Sequence, residues 1–444
     1  MGEARSAALG ALTSADFAAA MAAFRLLPGS QIAVAVSGGA DSLALVRLLT
    51  AWAPVHKITL HALTVDHGLR DAATDEAAQV GAWMAALDIP HAILCWEEGR
   101  ALRGLARSAQ SAAREARYGL MTAWCTANGC THLFVAHHAD DQVETFLLRL
   151  SRGSGVDGLA AMAPTSLRDG IVIARPLLGF AKDQLTALCR DLGQPWIEDP
   201  SNENPTSGRV RFRQARQVLE REGLTRDRLL ATVGHLQRAR AALDYAVAAL
   251  LAHGAMDAFG VARLPAGALL AAPEEIGLRA LARLLTAVSG QEFTPRFETL
   301  ARLYARLTVG PWRDATLHGC VVRHEGEGIV ITREPAQVGE DKTLLNDTAV
   351  IWDSRFRLSL SANQSGRFTV TAFAASRLST ESERAALLIL PLPLRGTVPA
   401  LFDKDGLAAV PHTGYMRADV AALQGLSLGV TMLSGLMAGA DAKL

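Results

Sequence analysis

IAVAVSGGADSLALVRLL, residues 32–49, is an apolar run, a six-residue break and a second apolar run with helical spacing. The first run predicts a buried strand and the second a helix, so Ser37-Gly38-Gly39-Ala40-Asp41-Ser42 forms the turn between them. Its two glycines let backbone amides face a ligand, and Ser37 and Ser42 add hydroxyl donors where a helix amino terminus favours an anion. A bare glycine pair would be an ordinary packing turn; the full SGGADS after a strand is a phosphate site. The loop has no GxxxxGKS/T pattern, so it lacks the lysine and the magnesium hydroxyl of that loop class. Asp41 instead puts a carboxylate beside the phosphates, and two anions need a cation, which predicts Mg²⁺ bridging Asp41 and pyrophosphate oxygens.

Outward from this loop, the first ~200 residues alternate short β-branched runs with longer Ala-rich helical patterns, the mark of a parallel sheet covered by helices. Strands are expected at Ile32–Val36, Ile58–Val65, Ala92–Cys95, Leu133–Ala136 and Ile171–Ala174, with helices at Asp75–Leu87 and Ser108–Ala127. From Arg209 to about Leu307 strand signals vanish, predicting a mainly helical domain closed by a hairpin at Cys320–Thr332. Beyond the polar break at Glu334–Thr343, the runs RFRLSL, GRFTVTAF, ALLIL and GLAAV predict a small β-rich domain. The expected division is 1–216, 217–335 and 336–444. Gly153-Ser154-Gly155-Val156-Asp157-Gly158 fits GxGxxG, but VETFLLRLSR before it has helical spacing, so it is a turn and not a dinucleotide fingerprint.

With 444 residues, 50% hydrophobic and 20% charged, the chain can build two or three cores and is not a disordered tail. Lys plus Arg and Asp plus Glu are both 44, so any nucleic-acid or membrane partner must be met by local patches. Five cysteines without a CxxC pair indicate neither a disulfide framework nor a zinc ribbon, which fits a reducing cytoplasm. The amino terminus does not read as a signal peptide. Val420–Ala440 is free of charge but diluted by glycines, serines and Thr431, so a core segment is expected rather than a membrane span.

Four further blocks carry chemistry: VDHGLR (65–70), AAREARY (112–118), AHHADDQVETFLLRLSRGSGVDGL (136–159) and IEDPSNENPTSGRVRFR (197–213). In the third, Asp141 and Glu144 share a helix face, so two carboxylates can grip a cationic group such as an amine, while His137 and His138 add donors or a base near neutral pH. A solvated helix start with acids placed for the dipole, as for Asp140, and a metal site of His and Asp are the alternatives. Arg114 and Arg117 lie on one helix. Between Arg209 and Arg240 stand nine arginines against three acids, a basic stretch suited to phosphate oxygens in an arginine-rich chain with only five lysines.

SGGADS resembles the pyrophosphate loop of the N-type ATP pyrophosphatases, which implies a HUP-like doubly wound α/β fold with ATP at the carboxyl ends of the strands. The five blocks in this order and spacing resemble those of the tRNA(Ile)-lysidine synthases. That resemblance implies ATP-dependent attachment of free L-lysine to C2 of the wobble cytidine of a tRNA(Ile) with a CAU anticodon, through a cytidine adenylate. It assigns ATP and Mg²⁺ to Ser37–Ser42, with Asp41 as metal ligand, and nucleotide contacts near the adenine to Val65, Asp66 and His67. It assigns lysine recognition to His137, Asp141 and Glu144, and substrate contacts or catalysis to Arg114, Arg117, Arg209 and Arg213. Val210 stands where the family's RNxxR block usually has Asn. LRGTVPALFDKDGLAAVP (394–411) resembles the family's carboxy-terminal domain, which implies a role in tRNA recognition. A tRNA-thiolating enzyme of the same loop class, a small-metabolite synthetase and a non-catalytic RNA adaptor are the alternatives; for thiolation the Cys125/Cys130 pair would have to be reactive rather than core.

Overall fold

The computed structural model describes residues 12–68, 72–97, 99, 108–198, 208–309, 312–345, 348–360, 367–421 and 428–432. It divides into two compact units, 1–240 and 241–444.

The first unit is built on six strands: β1 (Gln31–Ala35), β2 (Thr59–Asp66), β3 (His91–Cys95), β4 (His132–Phe134), β5 (Thr165–Arg168) and β6 (Ile171–Ala174). Their order is β3-β2-β1-β4-β6-β5, parallel except for the edge strand β5. β1 is central, pairing Val34 with Ala62 on one side and with Phe134 on the other, and its Ile32, Ala33 and Val34 are fully buried. Strands buried on both faces read as continuous apolar runs, which is why residues 32–36 stood out in the sequence. The chain turns outward in opposite directions from β1, so the carboxyl ends of β1 and β4 flank the switch point where such sheets open a crevice.

Helices α1 (Ser14–Met21), α2 (Ala40–Trp52), α3 (Ala72–Ala86), α4 (Ser108–Ala127), α5 (Ala139–Leu150), α6 (Val156–Leu159), α7 (Lys182–Asp191) and α8 (Gly208–Arg221) complete the layers, with the first part of α9 (Arg226–Leu251), a helix that runs on past residue 240. Phe17, Leu45, Leu49, Met84 and Leu185 pack against one face of the sheet, whereas Tyr118, Met121 and Cys125 of α4 pack on the other with Leu63 and Leu133. The Gly-Ser-Gly stretch follows helix α5 and leads into α6, a turn as its helical approach predicts.

The second unit opens with β7 (Ala255–Met256), β8 (Ala262–Pro265), α10 (Ala266–Ala271), α11 (Glu274–Ser289), α12 (Phe297–Val309), β9 (Ala315–Leu317), β10 (Cys320–Glu325) and β11 (Gly328–Arg333). The hairpin expected at Cys320–Thr332 is present, pairing Cys320 with Arg333 through to Glu325 with Gly328. The expectation of no strands before Leu307 is corrected: β7 and β8 extend a five-stranded sheet of order β7-β8-β11-β10-β9. In β8, Ala262 and Leu264 are buried while Arg263 is exposed, an alternation too short to outweigh the helical periodicity around it.

β12 (Lys342–Leu345), β13 (Ala349–Trp352), β14 (Phe356–Leu360), β15 (Arg367–Ala372), α13 (Glu381–Ile389), β16 (Pro399–Asp403), β17 (Gly406–Val410), β18 (Tyr415–Met416), α14 (Ala418–Ala421) and β19 (Leu428–Met432) follow, in sheets of order β12-β15-β16-β17-β18 and β13-β14-β19. ALLIL is not a strand but the carboxyl half of α13. Thr380 accepts from the Glu383 amide and the Glu383 carboxylate accepts from the Thr380 amide, a capping box that starts the helix five residues upstream, at Glu381. The core segment expected at Val420–Ala440 lies largely outside the described residues. No described helix is long and apolar enough to cross a membrane.

At the foot of β11, Asp353 lies between two buried guanidiniums. Its Oδ2 accepts from Arg333 Nε (3.0 Å) and Arg355 Nε (2.6 Å), while its Oδ1 accepts from Arg333 Nη2 and the Gly339 amide, both at 2.8 Å. Asp353→Ala strands both arginines, and calorimetric unfolding is expected to show the second unit destabilised by about 3–5 kcal/mol.

Candidate functional site: two cavities joined by a histidine

Gly38 begins the turn in the left-handed region, with φ +83°; a Cβ there would meet Ile197 Cδ1 at 2.8 Å and Val80 Cγ2 at 3.1 Å. The Ile197 amide donates to Gly38 O at 2.8 Å, so the segment after α7 straps the loop from outside. Within the turn, Ser42 Oγ donates to Gly39 O (2.9 Å) and accepts from the Ser37 amide (3.2 Å). Ser42 is buried, and its hydroxyl proton is spent on the loop rather than offered to a ligand. Gly39 is the N-cap of α2, so the first amides of that helix lack partners of their own and mark an anion site.

A cavity of about 470 Å³ opens over this turn. Ser37, Gly39, Asp41 and Ser42 line it from the loop, Val65 and His67 from the end of β2, Arg114 and Arg117 from α4, and His137 from the segment after β4. These are sequence-predicted residues from four separate blocks, brought together because strands β1, β2 and β4 end side by side. Glu76, outside the quoted blocks, also lines it, as do Tyr118 and Ile197, the last and first residues of two of those blocks, to which no role had been given. Arg114 and Arg168 both stack on the Tyr118 ring, at 5.5 and 4.9 Å from its centroid. Asp66, between two cavity residues, is structural: its carboxylate accepts from the Gly68 amide (2.9 Å) and Thr74 Oγ1 (2.8 Å) and ends the strand.

A second cavity of about 150 Å³ adjoins α5 and is lined by His138, Asp140, Val143, Glu144 and Leu147, with Asp183, Phe212, Arg216 and Arg226 opposite. Glu144 is buried here, apart from His137. Asp141 lines neither cavity. Its Oδ2 accepts from the His138 amide (3.1 Å), so it does not simply converge with Glu144 as their spacing suggested; it closes the α5 cap. Asp140 does more than face the helix dipole: it accepts from the Lys182 amide (2.9 Å) and pairs with Arg216 (3.3 Å) and Arg226 (3.6 Å), tying α7, α8 and α9 to the start of α5. Arg209 and Arg213 fall on α8, and their side chains lie outside the described residues.

His138, which the motif reading placed behind His137, stands between the cavities. It is 2% exposed, and its Nε2 lies 3.5 Å from both Asp41 Oδ2 and Asp141 Oδ2. Burial works against a charge on this ring, yet the hydrogen bond to Asp41 and the carboxylates of Asp141, Asp41 and Asp140 outweigh it, so its pKa is raised. Its Nδ1 accepts the Asp141 amide (3.3 Å), making His138 an N-cap. Histidine is not among the preferred caps, so no sequence signal marked it.

Asp41 Oδ1 is buried without a hydrogen-bond partner. A carboxylate oxygen left so is costly unless a cation satisfies it, and the adjoining helix terminus would hold the counter-anion; the donor set therefore fits a hard divalent cation shared with phosphate oxygens. Among the described residues no group of three or more His, Cys, Asp and Glu is arranged as a resident metal centre. The cysteines do not face the cavity: Cys125 and Cys130 are buried in the α4 core, and burial with the nearby Asp41 pushes the Cys189 thiol up to about 11.

The PP-loop domain family profile matches residues 13–221. A tRNA(Ile)-lysidine synthase of Ruegeria pomeroyi is 36% identical over 404 residues, covering 91% of this chain and 93% of that one. Its counterpart in Wolbachia pipientis wMel is 36% identical over 340 residues, with 76% and 78% covered, and that of Hyphomonas neptunium 40% over 315, with 69% and 82% covered. Among solved structures, a U34-tRNA thiolase from Methanococcus maripaludis aligns over 51% of this chain and 76% of its own, at 18% identity and a TM-score of 0.45.

The loop glycines separate two requirements. Gly38→Ala strains the backbone and is expected to cost about 1–3 kcal/mol, seen as a lower melting temperature. A Cβ on Gly39 has 3.7 Å to its nearest neighbour, Ser37 Oγ, so Gly39→Ala is expected to leave the melting temperature unchanged and weaken only nucleotide binding in calorimetry.

Proposed function

Because the chain belongs to the tRNA(Ile)-lysidine synthase family, we infer that it joins L-lysine to C2 of the wobble cytidine of tRNA(Ile) bearing a CAU anticodon, consuming ATP and releasing AMP and pyrophosphate. The observation that carries this reading is the meeting of the SGGADS turn, the β2 end, the α4 arginines and His137 around one nucleotide-sized cavity, beside a second cavity that holds Glu144.

In this reading the ATP phosphates rest on the amides of Gly39 and the first turn of α2, with the adenine toward Val65 and His67. Asp41 would hold Mg²⁺, whose charge offsets that of the pyrophosphate as it departs. A cytidine splayed from the anticodon stack enters the cavity, where single-stranded bases are commonly read. Its 2-oxygen attacks the α-phosphate, the bond to pyrophosphate breaks, and the loop amides stabilise the charge that develops. Arg114 and Arg117, exposed on the cavity wall, suit the RNA phosphates or the α-phosphate. The lysine ε-amine then attacks C2 and AMP leaves. Glu144, on the wall of the second cavity, is the carboxylate suited to the ammonium, and Glu144 or His137 accepts its proton; lysine contact by Asp141 rests on the family motif alone. Catalysis by Arg209 and substrate contact by Arg213 rest on the family motif alone.

The basic helices α8 and α9 and the second unit are taken as the tRNA-binding parts, with the divisions at 216 and 335 and a cytoplasmic setting belonging to the same proposal. Thiolation is disfavoured because Cys125 and Cys130 face the core.

Pyrophosphate release from ATP is expected to require both tRNA(Ile) with a CAU anticodon and lysine, and lysine is expected to remain on the RNA. Asp41→Ala should lower kcat by roughly 10²–10³-fold, on the scale of lost transition-state charge stabilisation. Glu144→Gln should raise the KM for lysine with the KM for ATP unmoved. Release that ignores lysine but follows a sulfur donor would replace this reading with thiolation.

A further inference from the structure

The ring between the two cavities has no role in the scheme above. Its Nδ1 is occupied by the Asp141 amide, so the ring proton sits on Nε2, which faces Asp41 Oδ2 and Asp141 Oδ2 at 3.5 Å each. Asp41 comes from α2 and Asp141 from α5, elements that follow different strands, and His138 is the side chain reaching both carboxylates. Oδ1 of Asp41, by contrast, has no hydrogen-bond partner. One oxygen of the carboxylate is therefore engaged by protein and the other is uncommitted.

We propose that His138 is a positioning residue that holds Asp41 in one orientation for the divalent cation and thereby keys the phosphate loop to the amino terminus of α5. The proposal rests on the reading of Asp41 as a Mg²⁺ ligand. His138 touches neither nucleotide nor cation; it acts through Asp41, as hydrogen-bonded neighbours of metal ligands commonly do. The same side chain caps α5, so a rearrangement at Asp41 is felt at the carboxylates on that helix, Asp141 first.

Two substitutions separate the two halves of the ring. Asn is a favoured N-cap, so His138→Asn keeps an acceptor for the Asp141 amide and discards the Nε2 contact. His138→Gln keeps an N–H at the distance of Nε2 and discards the cap. The measurement is calorimetric binding of α,β-methylene-ATP, which is not cleaved at the α–β position, to the full-length protein in excess Mg²⁺ and in EDTA, with melting temperatures recorded alongside.

Wild type is expected to bind more tightly in Mg²⁺. His138→Asn should lose roughly 10–100-fold of that tightening, the usual scale for such neighbours, with its affinity in EDTA and its melting temperature unchanged. His138→Gln should retain the Mg²⁺ response while melting at a lower temperature. A Mg²⁺ response in His138→Asn equal to wild type overturns the proposal. So does equal loss in both variants, because the Nε2 contact would then not be what matters. A wild type indifferent to Mg²⁺ overturns the reading of Asp41 as a metal ligand, and this inference with it. Failure of the lysidine reading appears elsewhere, as wild-type pyrophosphate release that does not depend on lysine and tRNA.

Discussion

At Gly38 the chain leaves a strand with a buried centre and reverses hand so that the next residues can begin a helix over the sheet face. The turn is held from outside by Ile197, whose amide bonds to Gly38 O and whose side chain occupies the space a Cβ would need. Everything in the first cavity depends on this closure. It aims the amides of α2 into the crevice, sets Asp41 at the cavity wall and brings a residue from near position 200 against one near position 40. A contact of such sequence separation is entropically expensive to form. It is retained because the loop it braces would otherwise have few fixed points beyond its own serine hydrogen bonds.

The layered sheet supplies the remaining convergence. β1, β2 and β4 run parallel and end together, so short segments far apart in sequence become neighbours without any of them being long. The candidate site therefore sits on strand ends and helix starts, where backbone groups are unsatisfied and rigid elements stand directly behind them.

Much of this was legible in the sequence because the informative signals were local. A buried central strand reads as an apolar run, SGGADS has a fixed backbone meaning, and five of the six strands of the first unit fell within a residue or two of their observed ends, the antiparallel edge strand β5 having gone unread. What was not legible depended on competition between local signals or on contacts at a distance. ALLIL has strand-like composition, yet the Thr380/Glu383 box upstream commits it to helix α13. β8 carries the right alternation over four residues only. Asp141 and Glu144 share a spacing that suggested a single pincer, but capping claims Asp141 while Glu144 turns to the second cavity. His138 was the hardest to read, since its partner Asp41 is nearly a hundred residues away and no short-range rule places an imidazole at an N-cap.

The Arg333, Asp353 and Arg355 cluster in the second unit bears on how this sequence can change over time. One carboxylate is shared by two guanidiniums that are almost completely shielded from water. Replacing Asp353 alone leaves two buried guanidiniums without a counter-charge, and replacing either arginine strips its hydrogen bonds from the buried carboxylate, whereas an apolar trio of matching volume could be equally stable. Because the three side chains share one buried hydrogen-bonded network, substitutions among them are expected to be non-additive. Drift at these positions is thus confined: the trio persists as a unit or is exchanged as one, and homologous chains should differ there by the whole set rather than by single letters.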